Sequence, residues 1–122
     1  MEYLAPKEEE MMNIFWDKGP MFVKEIMESY REMNKPLHSS TVTFYTHALE
    51  NKCFLSHHTY GRSFQYYPVI SRKKYQHDCL RAVIKKYFKD SYSTTIRMLV
   101  DNGDIALHEL KTLVRKVEDT KK

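Results

Sequence analysis

Apolar residues recur every three or four positions through most of this chain, and the places where that rhythm stops divide it into segments. In residues 4–18, LAPKEEEMMNIFWDK, the stripe is Leu4, Met11, Met12, Phe15 and Trp16. Pro6 suits a first helical turn, and the three glutamates that follow favour the positive end of the helix dipole. Gly19-Pro20 stops this helix. Residues 22–33, FVKEIMESYREM, repeat the pattern with Phe22 or Val23, Ile26, Met27 and Tyr30, until Asn34-Lys35-Pro36 breaks it. Ser39 or Ser40 is placed to cap a third helix that ends near Lys52-Cys53, with Val42, Tyr45, Thr46 and Leu49 facing inward.

The texture then changes. Residues 54–69, FLSHHTYGRSFQYYPV, are aromatic and β-branched around Tyr60-Gly61-Arg62, which predicts two short strands joined by a tight turn. Pro68 ends the second strand, and Ser71 caps the next helix. Helical spacing returns with Tyr75, Cys79, Ala82 or Val83, and Tyr87, then Ile96, Leu99 and Val100. After a turn at Asn102-Gly103, Leu107, Leu110, Leu113, Val114 and Val117 line a last helix.

Three helices, a hairpin and further helices make a mostly α fold with a small β-hairpin. The order is that of a winged helix-turn-helix over residues 1–70, whose third helix (39–52) reads DNA and whose hairpin (54–69) is the wing. Residues 71–122 then form two or three amphipathic helices with no evident partner within the chain. An apolar stripe that the chain cannot cover itself predicts a dimer, so 71–122 reads as a helical dimerisation region. Its contact residues are Tyr75, Cys79, Val83, Tyr87, Ile96, Leu99, Leu107, Leu110, Leu113, Val114 and Val117. Two-fold symmetry also suits a palindromic operator with half-sites about one DNA turn apart.

Composition narrows the function class. A chain of 122 residues favours one compact unit, or one with a small appendage, and excludes a large α/β enzyme. Apolar content of 42% with 30% charged residues fits a soluble globular protein, and no apolar run is long enough to span a bilayer. MEYLAPKEEE is acidic where an export signal is basic and then apolar, so a cytoplasmic location is expected. There Cys53 and Cys79, which form no close pair, are expected to be buried, structural thiols rather than a disulfide. The net charge of +4 is unevenly placed: −4 over residues 1–32, +2 over 33–70 and +6 over 71–122.

Candidate chemistry follows from the third helix. With Val42, Tyr45, Thr46 and Leu49 inward, steps of 100° put Ser40, Thr43, Phe44, His47 and Asn51 on the outer face. Thr43 and Phe44 suit thymine methyls, Ser40 any base, and Asn51 adenine or phosphate. That face carries no arginine for the bidentate contact to guanine, so A·T-rich half-sites are expected. Phosphate ligands are expected from Lys24, Ser39, Thr41, Lys52 and Arg62, the last at the wing tip beside Tyr60.

Other chemistries find little support. His57 and His58 are strand neighbours on opposite faces, and the remaining histidines lack ligand spacing, so neither a metal nor another cofactor is expected. Glu8, Glu9 and Glu10 fan out over 200° and read as a solvated first turn rather than an acid/base pair, while Met12, Phe15 and Trp16 read as core. There is no Gly-rich phosphate loop and no nucleophile motif, so no enzymatic activity is expected. The competing reading is a winged-helix protein-docking module with little DNA affinity, suggested by the acidic first third and the lightly charged third helix.

Several motifs together resemble a known family. LAPKEEEMMNIFWDKGPMFVKEI, SSTVTFYTHALENKCF and HHTYGRSFQYYPVISRKKY are similar, in that order, to the first helices, recognition helix and wing of the penicillinase-repressor (BlaI/MecI/CopY) family of winged-helix transcriptional repressors. The resemblance implies a homodimer that binds double-stranded DNA at a palindromic operator, and, in the best-known members, a membrane-bound sensor protease as partner. Nothing in it implies lipid binding. The chain departs from the pattern at Thr43, where the family often has a basic residue, at Phe44, where Thr is common, at Ala48, often Arg, and at Cys53, often Gly. Asn102-Gly103 stands near the point where known members are cut at an Asn-Phe bond. The cysteine-rich tail of the copper-responsive branch has no counterpart in LVRKVEDTKK.

Overall fold

In the computed structural model of the protein, residues 4–120 are described. The first helix, α1 (Pro6–Lys18), starts with proline at its first position, and the Glu8 carboxylate accepts a hydrogen bond from the Ala5 N–H at 2.8 Å. Gly19, at φ 83°, ends it in a conformation few other residues adopt. The chain then makes a two-residue strand, β1 (Met21–Phe22), before α2 (Val23–Glu32). The apolar pattern alone predicts a helix from residue 22 and no strand there. A strand this short has no periodicity of its own and exists because Met21 and Phe22 pair with Tyr66 and Gln65 across the sheet.

After Asn34, at φ 58°, and Pro36, α3 runs from Ser39 to Asn51. Its cap is His38 rather than a serine: the Ser40 N–H donates to His38 Nδ1 at 3.3 Å. Val42, Thr46 and Leu49 are buried as the spacing requires, and Tyr45 is half-buried. Strands β2 (Leu55–Tyr60) and β3 (Ser63–Pro68) form the expected hairpin about Gly61, with His57 opposite Tyr66 and Thr59 opposite Phe64. The sheet is antiparallel throughout, in the order β1-β3-β2. Three further helices follow: α4 (Arg72–Phe88), α5 (Tyr92–Asp101), capped by Ser91, and α6 (Leu107–Thr120).

The chain divides into two compact units, one up to His77 and one from Asp78. In the first, Met11, Met12, Phe15, Ile26, Val42, Leu49 and Phe54 are inaccessible to water, with Tyr30, Leu55, Tyr66 and Tyr75 nearly so. The Trp16 indole N–H donates to the Ile70 carbonyl at 2.8 Å, and Arg72 donates to Asp17 at 2.7 Å and to the Asn13 carbonyl, tying the start of α4 to α1. In the second unit Ile84 is the one buried residue among those described, and α5 and α6 bury none. No helix among the described residues is long and apolar enough to cross a membrane.

Candidate nucleic-acid interface

The outer face of α3 follows from its inner one. Ser40, Phe44, His47 and Asn51 are exposed, while Thr43 is half-buried and donates its hydroxyl to the Ser39 carbonyl at 2.9 Å. Phe44 is 60% exposed and meets Tyr45 of its own helix edge-on at 5.3 Å, so the ring is not part of the packing between helices. Ser39 is exposed at the first turn, Thr41 half-buried.

The other cations and the wing occupy different positions around this face. Lys24 is exposed in the first turn of α2, Arg62 is exposed in the β2–β3 turn, and Tyr60 beside it rests edge-on against Phe22 at 5.7 Å. Lys24, Thr43, His47 and Arg62 share the lining of one cleft of about 550 Å³, whose apolar wall is Phe22, Val23, Phe64 and Tyr66. Four residues expected to meet DNA are thus brought together by α2, α3 and the hairpin. Phe64 and Tyr66 carry no signal of their own in the sequence, but strand alternation from Leu55 and the pairing of Thr59 with Phe64 put both on the side of the sheet that faces α3.

Lys52 lies elsewhere in its chemistry. Its ammonium meets Glu8 Oε1 at 2.7 Å, and Glu8 is only 5% exposed, so this glutamate is not part of a solvated first turn. Burial pushes the Glu8 carboxyl up, but the Lys52 hydrogen bond, the Ala5 N–H and the Lys52 charge outweigh it and hold the group below the usual carboxylate range. The partners are 44 positions apart, and no local pattern connects them. Glu10 is likewise held low by a hydrogen bond from Lys35, and burial with the neighbouring Glu10 raises the Tyr30 phenol.

A further contact joins the end of α3 to the wing. His57 Nδ1 lies 2.6 Å from Glu50 Oε2, and its ring stacks on Phe64 at 4.2 Å. His58, on the opposite side of the strand, stacks on Tyr67 at 4.6 Å. Among the described residues no group of three or more His, Cys, Asp or Glu is placed to hold a metal ion.

Of the residues expected at a dimer contact, Tyr75 packs on Trp16 at 5.6 Å and Phe54 at 5.4 Å, and its hydroxyl donates to Glu9 at 3.1 Å within the first unit. Cys79, Leu99 and Leu110 are half-buried. Val83, Tyr87, Ile96, Leu107, Leu113, Val114 and Val117 are exposed.

The arrangement of three helices and a two-stranded wing is that of a winged helix-turn-helix. The chain is similar to the solution structure of the DNA-binding domain of the repressor BlaI, with 24% identity and a TM-score of 0.52 over 62% of this chain and 94% of that one. Among curated proteins none matches by sequence. A family model described as penicillinase repressor matches residues 4–119, both units together. The chain therefore belongs to the penicillinase repressor family.

Proposed function

We propose that this protein is a transcriptional repressor that binds a palindromic operator as a homodimer in the cytoplasm. The observation that carries the reading is the convergence of Lys24, Thr43, His47 and Arg62 on one cleft beside the exposed face of α3. Elements far apart in sequence place two long cations in one cleft beside a helix whose Ser40, Phe44, His47 and Asn51 are exposed. This is what a duplex needs: base edges are read from the helix, and phosphates are gripped at its sides.

In this reading Ser40, Thr43, Phe44, His47 and Asn51 enter the major groove. Lys24, Ser39, Thr41, Tyr60 and Arg62 hold the backbone. The groove-facing set favours methyl groups and adenines, so the half-sites are rich in A·T pairs. Lys52, in its ion pair with Glu8, mainly fixes the end of α3 and contributes less to phosphate neutralisation than Arg62. The uncovered apolar positions of α4, α5 and α6 supply the second subunit's contact, and that contact sets the spacing of the two reading helices. Repression is then steric, by occupation of the operator.

The test is fluorescence anisotropy with a labelled duplex across a salt series. The expected plot of log affinity against log salt is steep, and Arg62→Ala and Lys24→Ala each flatten it by roughly one. Lys52→Ala flattens it less. A plot that is flat for the unaltered protein would favour the protein-docking reading.

A further inference from the structure

We propose that the cleft between the wing, α2 and α3 is a binding site for a small amphipathic aromatic anion, and that its occupation competes with DNA. The competition rests on the repressor reading above; the binding site does not.

The cleft is about 550 Å³, within the range of small-molecule sites. Its wall is apolar, built from Phe22 and Val23 at the start of α2 and from Phe64 and Tyr66 on β3, and its cations are Lys24 and Arg62. Phe64 stays 40% exposed, although its neighbour on the same side of the strand, Tyr66, is only 2% exposed. Glu25 also lines the cleft, but its carboxylate accepts from the Phe22 N–H at 2.9 Å and is engaged at the helix start.

A phosphodiester backbone satisfies the two cations but sets charged oxygens against Phe22, Val23 and Phe64, which gain nothing from them. A flat aromatic body bearing one carboxylate or sulfonate satisfies both halves. Its ring covers Phe64 and Phe22, and its anion meets Lys24 or Arg62. Such a molecule also covers Thr43 and His47, so it cannot share the cleft with a duplex read by α3.

The probe is 8-anilinonaphthalene-1-sulfonate, titrated into the whole chain without DNA and followed at each backbone amide by NMR. This readout separates binding in the cleft from binding to the exposed apolar positions of α4–α6. Saturable shifts are expected at Lys24, Thr43, His47, Arg62 and Phe64. Affinity is expected to fall about tenfold in Phe64→Ser and in Arg62→Ser, and to hold in Val69→Ser, an exposed apolar position off the cleft. Both cleft variants alter exposed side chains, so the amide spectrum reports directly that the wing is still folded. Shifts confined to α4–α6, or an affinity indifferent to both cleft variants, would overturn the site.

The second arm adds the probe to the protein bound to a labelled mixed-sequence duplex at low salt. At ten times the probe's Kd for the unaltered protein, the apparent Kd for DNA is expected to rise about tenfold, and only about twofold in Phe64→Ser at the same probe concentration. Probe bound in the cleft with DNA affinity unchanged overturns the competition. A protein that takes the probe but no duplex at any salt refutes the repressor reading and the competition, while the site itself stands.

Discussion

In the unit up to His77, the apolar stripes of α1, α2 and α3 meet one another, and Phe15, Ile26, Val42 and Leu49 are wholly out of water. In the unit from Asp78, the same helical spacing leaves Val83, Tyr87, Ile96, Leu107, Leu113, Val114 and Val117 in water, with Ile84 alone buried among the described residues. The two stretches carry comparable amphipathic patterns, yet one closes on itself and the other does not. Periodicity therefore tells which face of a helix is apolar, and only the count of neighbouring elements tells what covers it.

The largest effect that sharpens this contrast is in the core. Phe15→Ala is expected to cost about 3–5 kcal/mol, read from urea unfolding, because the ring is enclosed on every side. Leu113→Ala, on an exposed position, is expected to cost under about 1 kcal/mol in dilute monomer. An equal loss at both positions would abolish the distinction between the units.

Next comes the self-association of the second unit. Leu113→Asp combined with Val117→Asp is expected to convert a sedimenting dimer to monomer while leaving the urea midpoint of the winged-helix unit in place. If the unaltered protein is already monomeric at high concentration, the exposed stripe has no second copy to meet.

The Glu8–Lys52 pair gives an intermediate effect. Lys52→Met strands a buried carboxylate and is expected to cost about 1–3 kcal/mol at neutral pH, less than a fully enclosed pair because Lys52 keeps some contact with water. The Glu8 carboxyl is held below its ordinary value in the folded state. Its contribution is therefore present above the unfolded-state pKa of about 4.3 and is lost as pH falls through the lowered folded value. Urea midpoints measured from about pH 6 down to pH 3 should fall less steeply in Glu8→Gln.

The smallest is a gain. Cys53, which follows the cap residue Lys52 and is exposed rather than buried as the sequence reading expects, has φ 65°, a left-handed conformation that costs a side chain roughly 1 kcal/mol and glycine little. The Phe54 N–H reaches back to the Leu49 carbonyl at 2.9 Å across it, which closes the helix end. Cys53→Gly is expected to raise stability by up to about 1 kcal/mol, read as a higher thermal midpoint, with DNA affinity unchanged.

The fold was legible wherever a pattern is local. The helix stripes, the stops at Gly19-Pro20 and Asn102-Gly103, and the aromatic hairpin all follow from neighbours within a few residues. What escaped depends on contacts across the chain. Strand β1 exists only through Tyr66 and Gln65, and the buried Glu8 meets its ion-pair partner Lys52 from the end of α3. The cap at His38 escaped for a different reason: an imidazole nitrogen accepts as a serine oxygen does, but composition favours the serines beside it. At the candidate site, helical steps give the outer face of α3. The cleft that joins it to Lys24 and Arg62 needs three elements in register and has no signature in any one of them.

The most direct measurement of the central claim is selection from a random double-stranded DNA library with the purified whole chain at near-physiological salt. Enrichment of a palindrome whose A·T-rich half-sites lie about one helical turn apart is expected. No enrichment from a protein that is folded and dimeric would contradict it.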